Sequence, residues 1–395
     1  MKKNGVNQAM NQAMNRELVL CTLQHLGHCA RTNLAKKTGL QQATITNIVA
    51  DLIGRGIVEE TGSCVGEKGR RSIGIRLSDG VYRVIGFRLT RRNFSIGIFN
   101  LACTKTEDAY FERIEDPNPE KILARACGLI NDMIQTHPEY VFLAVGVAVP
   151  GPYYRDSGEI AMISSFPGWR NIQIQKIMQE KISIPVIIDH DANAAVLAES
   201  CLVSDRDMYD TMVYIAVGQG IGAGILEKGE IYHGAQGVAG EVGHTCVDVH
   251  GALCECGQRG CLTLYASTVA LVSDIRSRIG NPGMSQEEAF QEIRTGNPIA
   301  VDAFKTMISY LGVCIASMMF TYNPNCIIIG DEITELGDMV IQELRAYLGR
   351  LNVGKLTKEL IIELASISSD SAFTGAAMLA VRRAFAHFEY FPETV

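Results

Sequence analysis

The sequence predicts an α/β protein: a small basic head of the winged helix-turn-helix type, followed by a larger body of alternating strands and helices. Three observations carry this. Residues 31–50 (RTNLAKKTGLQQATITNIVA) hold two helical periods around a glycine. After Ser78-Asp79-Gly80 the pattern changes to short apolar runs bounded by Gly, Pro or Asp, with helical stretches between them. Charge is also unevenly divided: residues 1–80 hold 11 Lys/Arg against 6 Asp/Glu, and the remaining 315 hold 25 against 37. A net of +5 on the head and −12 on the body directs the head toward a polyanion.

In chain order, residues 16–30 carry apolar positions at Leu18, Val19, Leu23 and Leu26, a helical period. Residues 31–38 and 41–55 read as two further helices joined by Gly39-Leu40. Leu34, Leu40, Ile45 and Ile48 take the inward positions, Ala35 allows a close crossing, and Gly39 supplies the permissive turn. Gln41, Gln42, Thr44, Thr46 and Asn47 then lie on or near the outward face of the third helix. Gln and Asn pair bidentately with adenine, and Thr meets a thymine methyl. Residues 57–78 read as a hairpin whose tip, GEKGRRS, presents Lys68, Arg70 and Arg71 to phosphate or to a narrow minor groove. In the body, Val84–Phe87, Phe94–Phe99, Phe142–Val149, Val186–Ile188, Met212–Val217 and Cys326–Ile329 read as strands. Residues 119–136, 171–182, 192–202 and 297–320 read as helices. The segment 380–391 reads as a helix packing back on the body.

At 47% hydrophobic and 20% charged residues, the chain is a globular protein rather than a disordered one. No stretch approaches ~18 uninterrupted apolar residues, and the N-terminus lacks the apolar core of a secretory signal. A cytoplasmic protein without a membrane span is expected. Of 12 cysteines, nine are scattered and read as reduced thiols. The other three fall in GEVGHTCVDVHGALCECGQRGCLT, 240–263, as His244-x9-Cys254-x-Cys256-x4-Cys261. These four ligands suit tetrahedral Zn²⁺, and a closed Cys₃His set points to a structural ion. Cys246 and His250 are rival ligands.

GxxGExGH at 237–244, CxCGxxGC at 254–261, DHDANAAVLAE at 189–199, GQGIGAG at 218–224 and SxxxGAAxLA at 371–380 together resemble the ROK family of repressors and sugar kinases. The resemblance covers essentially the whole chain. It implies a two-lobed actin/hexokinase-like (ribonuclease H-like) body with a sugar cleft between the lobes. The expected division is a head at 1–80, a first lobe at 81–190 completed by a C-terminal helix at about 376–395, and a second lobe with the zinc loop at 191–375.

Carried over residue by residue, the resemblance places the sugar-binding positions on His190, Asp191, Glu241 and His244, with Gly151 lining the same cleft. Two positions depart from the kinases: His190 stands for an asparagine, and Thr263 for a glutamate. Asp191 falls on the kinase general base. The phosphate-binding segments are broken. The Asp-x-Gly-Gly-Thr loop falls on Arg88-Leu89-Thr90-Arg91-Arg92, hydroxyl positions fall on Ala216 and Gln219, and a late Gly-Gly falls on Gly330-Asp331. Phosphoryl transfer depends on holding phosphates and Mg²⁺, so no enzymatic activity is expected. The remaining glycines of 218–224 read as turn and packing glycines.

The resulting expectation is a homodimeric or homotetrameric repressor of carbohydrate genes. It would bind a double-stranded operator and respond to a sugar or sugar phosphate. A sugar kinase with an appended head, or a regulator controlled by a transporter component, are the alternatives.

Overall fold

The computed structural model describes residues 8–65, 71–164, 166–203, 209–351, 354–367 and 370–392. The head opens with helix α1, Gln8–Leu26. It is followed by a short strand, His28–Ala30, then helices α2, Arg31–Thr38, and α3, Gln42–Gly54. Helix α1 starts earlier and stops sooner than the periodicity predicts. Gly27, at φ +65°, ends it, and residues 28–30 pair with Gly74–Arg76 as a third strand. Its inward face is Val19, Leu20 and Leu23, all fully buried, whereas Leu18 is 42% exposed. Between α2 and α3 the backbone turns at Gly39, φ +71°. Leu34, Ile45, Val49 and Leu52 close the head's core, with Leu40 and Ile48 packed at its edge. Strands Val58–Val65 and Arg71–Leu77 form the expected antiparallel hairpin. The wing residues Lys68 and Arg70 lie outside the described residues, and so does the side chain of Arg71.

The body contains two five-stranded sheets with the same strand order. In the first, Tyr82–Leu89, Asn93–Phe99 and Lys105–Arg113 form an antiparallel meander. Val141–Val149 and Val186–His190 add parallel to its first strand. In the second, Thr211–Val217, Ile221–Glu227 and Glu230–Ile231 form the meander, and Cys326–Gly330 and Ile361–Leu364 add in parallel. This duplication is invisible in the sequence, because a sheet order is preserved by apolar alternation and turn lengths rather than by particular residues.

The helices Asp191–Leu202 and Ser371–Ala386 pack against each other between the two sheets. A Cβ at Gly375 would overlap the carbonyl oxygen of Ala194, so these helices touch backbone to backbone. Residues 171–182 differ from expectation. Arg170–Ile172 pairs with Glu159–Met162 as a strand, leaving only Ile174–Gln179 helical. The helix Pro298–Thr321 is long and apolar enough by composition to cross a membrane. Here its Phe304, Met307, Leu311, Ile315 and Met318 fill the second lobe's core. The C-terminus reaches beyond the body: Phe388 stacks under Arg16 (3.9 Å) and Arg55 (5.0 Å) of the head.

Candidate functional site

The two hairpin turns that follow the first strand of each sheet, at 90–92 and 218–220, meet at the mouth of a cavity of about 410 Å³ between the lobes. That size suits a small ligand. Five of the expected positions line it: Gly151, His190, Asp191, Glu241 and His244. Thr263, Arg88, Arg91, Asp331, Glu332 and Asp370 line it as well.

His190 ends the strand Val186–His190, and Asp191 begins the next helix. That turn is fixed from below by Asp189. Its buried carboxylate accepts hydrogen bonds from His190 N, Asn193 Nδ2 and the His233 ring, each at 2.8 Å. Burial works against its charge, yet these donors hold its pKa below the ordinary value. His190 Nε2 lies 3.2 Å from Asp191 Oδ1 and 4.0 Å from Glu241 Oε1, and its Nδ1 is buried with no hydrogen-bond partner among the described residues. Burial alone would discharge this imidazole, but Asp191, Glu241 and Asp189 outweigh it and raise its pKa. Burial raises the Glu241 carboxyl, against the pull of His190 and His244. Gly151 permits this approach: a Cβ there would overlap Glu241 Oε1 and come within 2.7 Å of His190 Cδ2. Carboxylates that accept from hydroxyls beside an imidazole N–H that can donate are the polar set that polyol hydroxyls match.

The opposite corner, where the resemblance places phosphates, is lined by charged side chains that pair with one another. Arg88 donates to Asp331 at 3.3 Å and to Asp370. Burial opposes the Arg88 charge, but Asp370 and Asp331 hold it. Both carboxylates sit on strained backbone, Asp331 at φ +68° and Asp370 at φ +115°. Asp331 stands where the kinase pattern has glycine, so an inherited glycine conformation now carries an acid that grips Arg88. Burial pushes Asp331 up to about 6 despite the Arg88 charge. Arg91 donates to the Gln219 carbonyl at 2.6 Å and covers Gly220, so the two hairpin turns are stitched together. Gln219 Nε2 and Thr268 Oγ1 both donate to Glu332. The glycines of 218–224 serve close packing: Cβ atoms at 218, 220, 222 and 224 would press on Asp331, Arg91, His190 and Ala192. Arg88, Arg91 and Asp331 were legible in the sequence only as departures, and Asp370 not at all. Their pairing joins residues 243 and 282 positions apart, which no local pattern signals.

The metal loop lies beside the cleft. His244, Cys254, Cys256 and Cys261 bring four ligand atoms within 4.8 Å of one another. The gaps of 3.6 Å from His244 Nδ1 to Cys254 Sγ and 3.5 Å from Cys256 Sγ to Cys261 Sγ approximate the edges of a tetrahedron built on ~2.0–2.3 Å zinc bonds. Cys246 and His250 are not part of this group among the described residues. His244 serves both places. Its Nδ1 faces the thiols, so an ion bound there leaves the proton on Nε2, as a donor for the cleft.

On the head, Gln41, Gln42, Thr46 and Asn47 are exposed and Thr44 is half-buried. The Thr46 hydroxyl donates to Gln42 O at 2.9 Å, which commits its proton and leaves the methyl outward-available.

A helix-turn-helix head is thus carried on a two-lobed body with two sheets of one strand order and a phosphate corner lined by paired charges. Residues 84–383 match the ROK family, and the chain belongs to it. Among curated relatives, the xylose repressor of Caldicellulosiruptor bescii is 27% identical over 97% of this chain and 99% of its own length. The xylose repressor of Bacillus subtilis is 26% identical over 86% and 88%. The transcriptional dual regulator NagC of Escherichia coli is 25% identical over 94% of each chain. Among solved structures, a ROK family transcriptional regulator homologous to the E. coli MLC protein superposes with TM-score 0.80 at 24% identity, covering 96% of this chain and 99% of its own. A ROK glucokinase from Streptomyces griseus, solved with glucose and AMPPNP, reaches 0.67 at 23% identity over 75% of this chain and 98% of its own. It matches in fold.

Proposed function

We propose that this chain is a DNA-binding transcriptional repressor of carbohydrate genes, released from its operator by a sugar in the inter-lobe cleft. The observation that carries the reading is the asymmetry of that cleft. Its sugar end keeps Asp191, Glu241 and His244, while at its phosphate end Arg88 is paired with Asp331 and Asp370 and Arg91 with the Gln219 carbonyl. A cleft whose phosphate end commits its arginines to the protein's own acids and carbonyl keeps a ligand and loses a reaction. The chain is therefore read as a non-enzyme, although Asp191 keeps the place of a base.

The cavity also favours an uncharged sugar over a sugar phosphate. Five carboxylates line it (Asp191, Glu241, Asp331, Glu332 and Asp370) against two guanidiniums. Arg88 is already paired to two of those acids, and Arg91 to a carbonyl. The similarity to repressors named for xylose agrees with this choice. A zinc ion in the Cys₃His loop would fix His244 and the adjoining Glu241 segment. Two heads, paired through the bodies in the cytoplasm, would read two half-sites through Gln41, Gln42, Thr44, Thr46 and Asn47, with Lys68, Arg70 and Arg71 on the flanking backbone or minor groove.

The test is capture of genomic DNA fragments by the zinc-loaded protein, with a panel of xylose, glucose, N-acetylglucosamine and their phosphates. Specific fragments released by an uncharged sugar are expected. No specific fragment at moderate salt refutes the DNA reading, and release by a phosphate ester alone refutes the choice of effector class.

A further inference from the structure

We propose that the helix Asp191–Leu202 conveys sugar binding to the DNA head, and that His25 is the residue through which the head receives it. This rests on reading the cleft as the effector site. Asp191 is the helix's first residue and lines the cavity. Ten residues on, about 15 Å away at 1.5 Å per residue, Cys201 in the last turn meets the head. The last carbonyls of a helix have no donor within it. Here the Cys201 carbonyl meets His25 Nδ1 of α1 at 2.9 Å. The same turn is held from the side, where Arg382 Nη2 donates to Cys201 Sγ at 2.9 Å. Helix α1 is integral to the head, because its Val19, Leu20 and Leu23 are buried with Leu34, Ile45 and Val49.

The helix is built to shift as a unit. Residues 192–201 are all buried, and at two places its first turns meet other elements backbone to backbone. A Cβ at Gly224 would overlap the Ala192 carbonyl, and one at Gly375 the Ala194 carbonyl. With no side chain between the surfaces to give way, a push at Asp191 is not absorbed locally. Glu199 ties the helix sideways. Its buried carboxylate accepts from Ser366 N, Ile367 N and Ser371 Oγ, next to Asp370, which holds Arg88 at the cleft. A ligand that engages Asp191 therefore acts on a rod whose other end carries a hydrogen bond to the head.

Linkage makes this measurable. If a sugar weakens DNA binding by some factor, DNA weakens sugar binding by the same factor. The experiment uses the full chain, an operator fragment recovered by the capture, and the panel sugar that releases it. DNA affinity is read with and without sugar, and sugar affinity with and without DNA. His25→Ala is expected to reduce the coupling factor by about fivefold, the size of one net hydrogen bond, in both directions. Sugar affinity of the DNA-free protein is expected to stay within about twofold. His25→Asn, whose amide donates from the same place as Nδ1, is expected to restore the coupling. Full coupling in His25→Ala overturns the proposal. Equal defects in His25→Ala and His25→Asn also overturn it, because packing rather than the bond would then matter. If no sugar weakens DNA binding by the unmodified protein, the effector reading itself fails, a result distinct from both.

Discussion

Replacing Arg88 by alanine removes the cation between Asp331 and Asp370 and leaves two carboxylates facing each other at the lobe junction. The three side chains are 14%, 22% and 26% exposed, so solvent screens them only partly. Removing one partner of a buried pair costs about 3–5 kcal/mol, because the remaining charge keeps its desolvation penalty. Partial exposure places Arg88→Ala at the lower end, about 3 kcal/mol. Urea denaturation followed by far-ultraviolet circular dichroism measures it. The double variant Arg88→Ala, Asp370→Asn is expected to recover at least about 1 kcal/mol, since one of the two orphaned charges is gone. A loss below about 1 kcal/mol in the single variant, or no recovery in the double, would show that the cluster is a solvated surface feature. The phosphate corner would then not be held by paired charges.

Three further outcomes are expected. Gly151→Ala should weaken sugar binding at least about tenfold, because its Cβ would press on Glu241 and His190. DNA binding without sugar should persist, and titration calorimetry with a gel-shift control separates the two. Metal analysis should find one zinc per chain, and chelation or Cys256→Ser should lower the melting temperature and the sugar affinity together; full sugar binding by metal-free protein would remove the ion's assigned role. Asp331 has its pKa raised from 3.8 to about 6. A raised folded-state value means the group's contribution to stability is fully present below about pH 4 and is lost as pH rises through about 6. Asp331→Asn should flatten that part of the stability-against-pH curve, and an unchanged slope in denaturation midpoints between pH 4 and 7 would contradict the assignment.

The sequence by itself determined the helix-turn-helix head, the grouping of His244 with three cysteines and the turn that carries His190 and Asp191, because each is encoded locally. Gly39 stops α2 at a left-handed residue, and three cysteines within eight positions and a histidine ten residues before them place four ligand atoms together. His190 and Asp191 are adjacent at a strand-to-helix turn. Local periodicity erred where pairing partners decide. Residues 28–30 and 170–172 became strands because Gly74–Arg76 and Glu159–Met162 offered backbone donors and acceptors to them. Leu18 turned outward because Val19 and Leu20 took the buried arc of α1.

Only the tertiary structure decided what replaced the broken phosphate loops. Arg88 reads in sequence as a lost aspartate. In space it is held by Asp331, just after the strand Cys326–Gly330, and Asp370, just before the helix Ser371–Ala386. The contact of His25 with Cys201, across 176 positions, belongs to the same class. Such pairings are set by where two sheets and two close-packed helices place their ends. A chain records that geometry in its overall packing, and no stretch of neighbouring residues contains it.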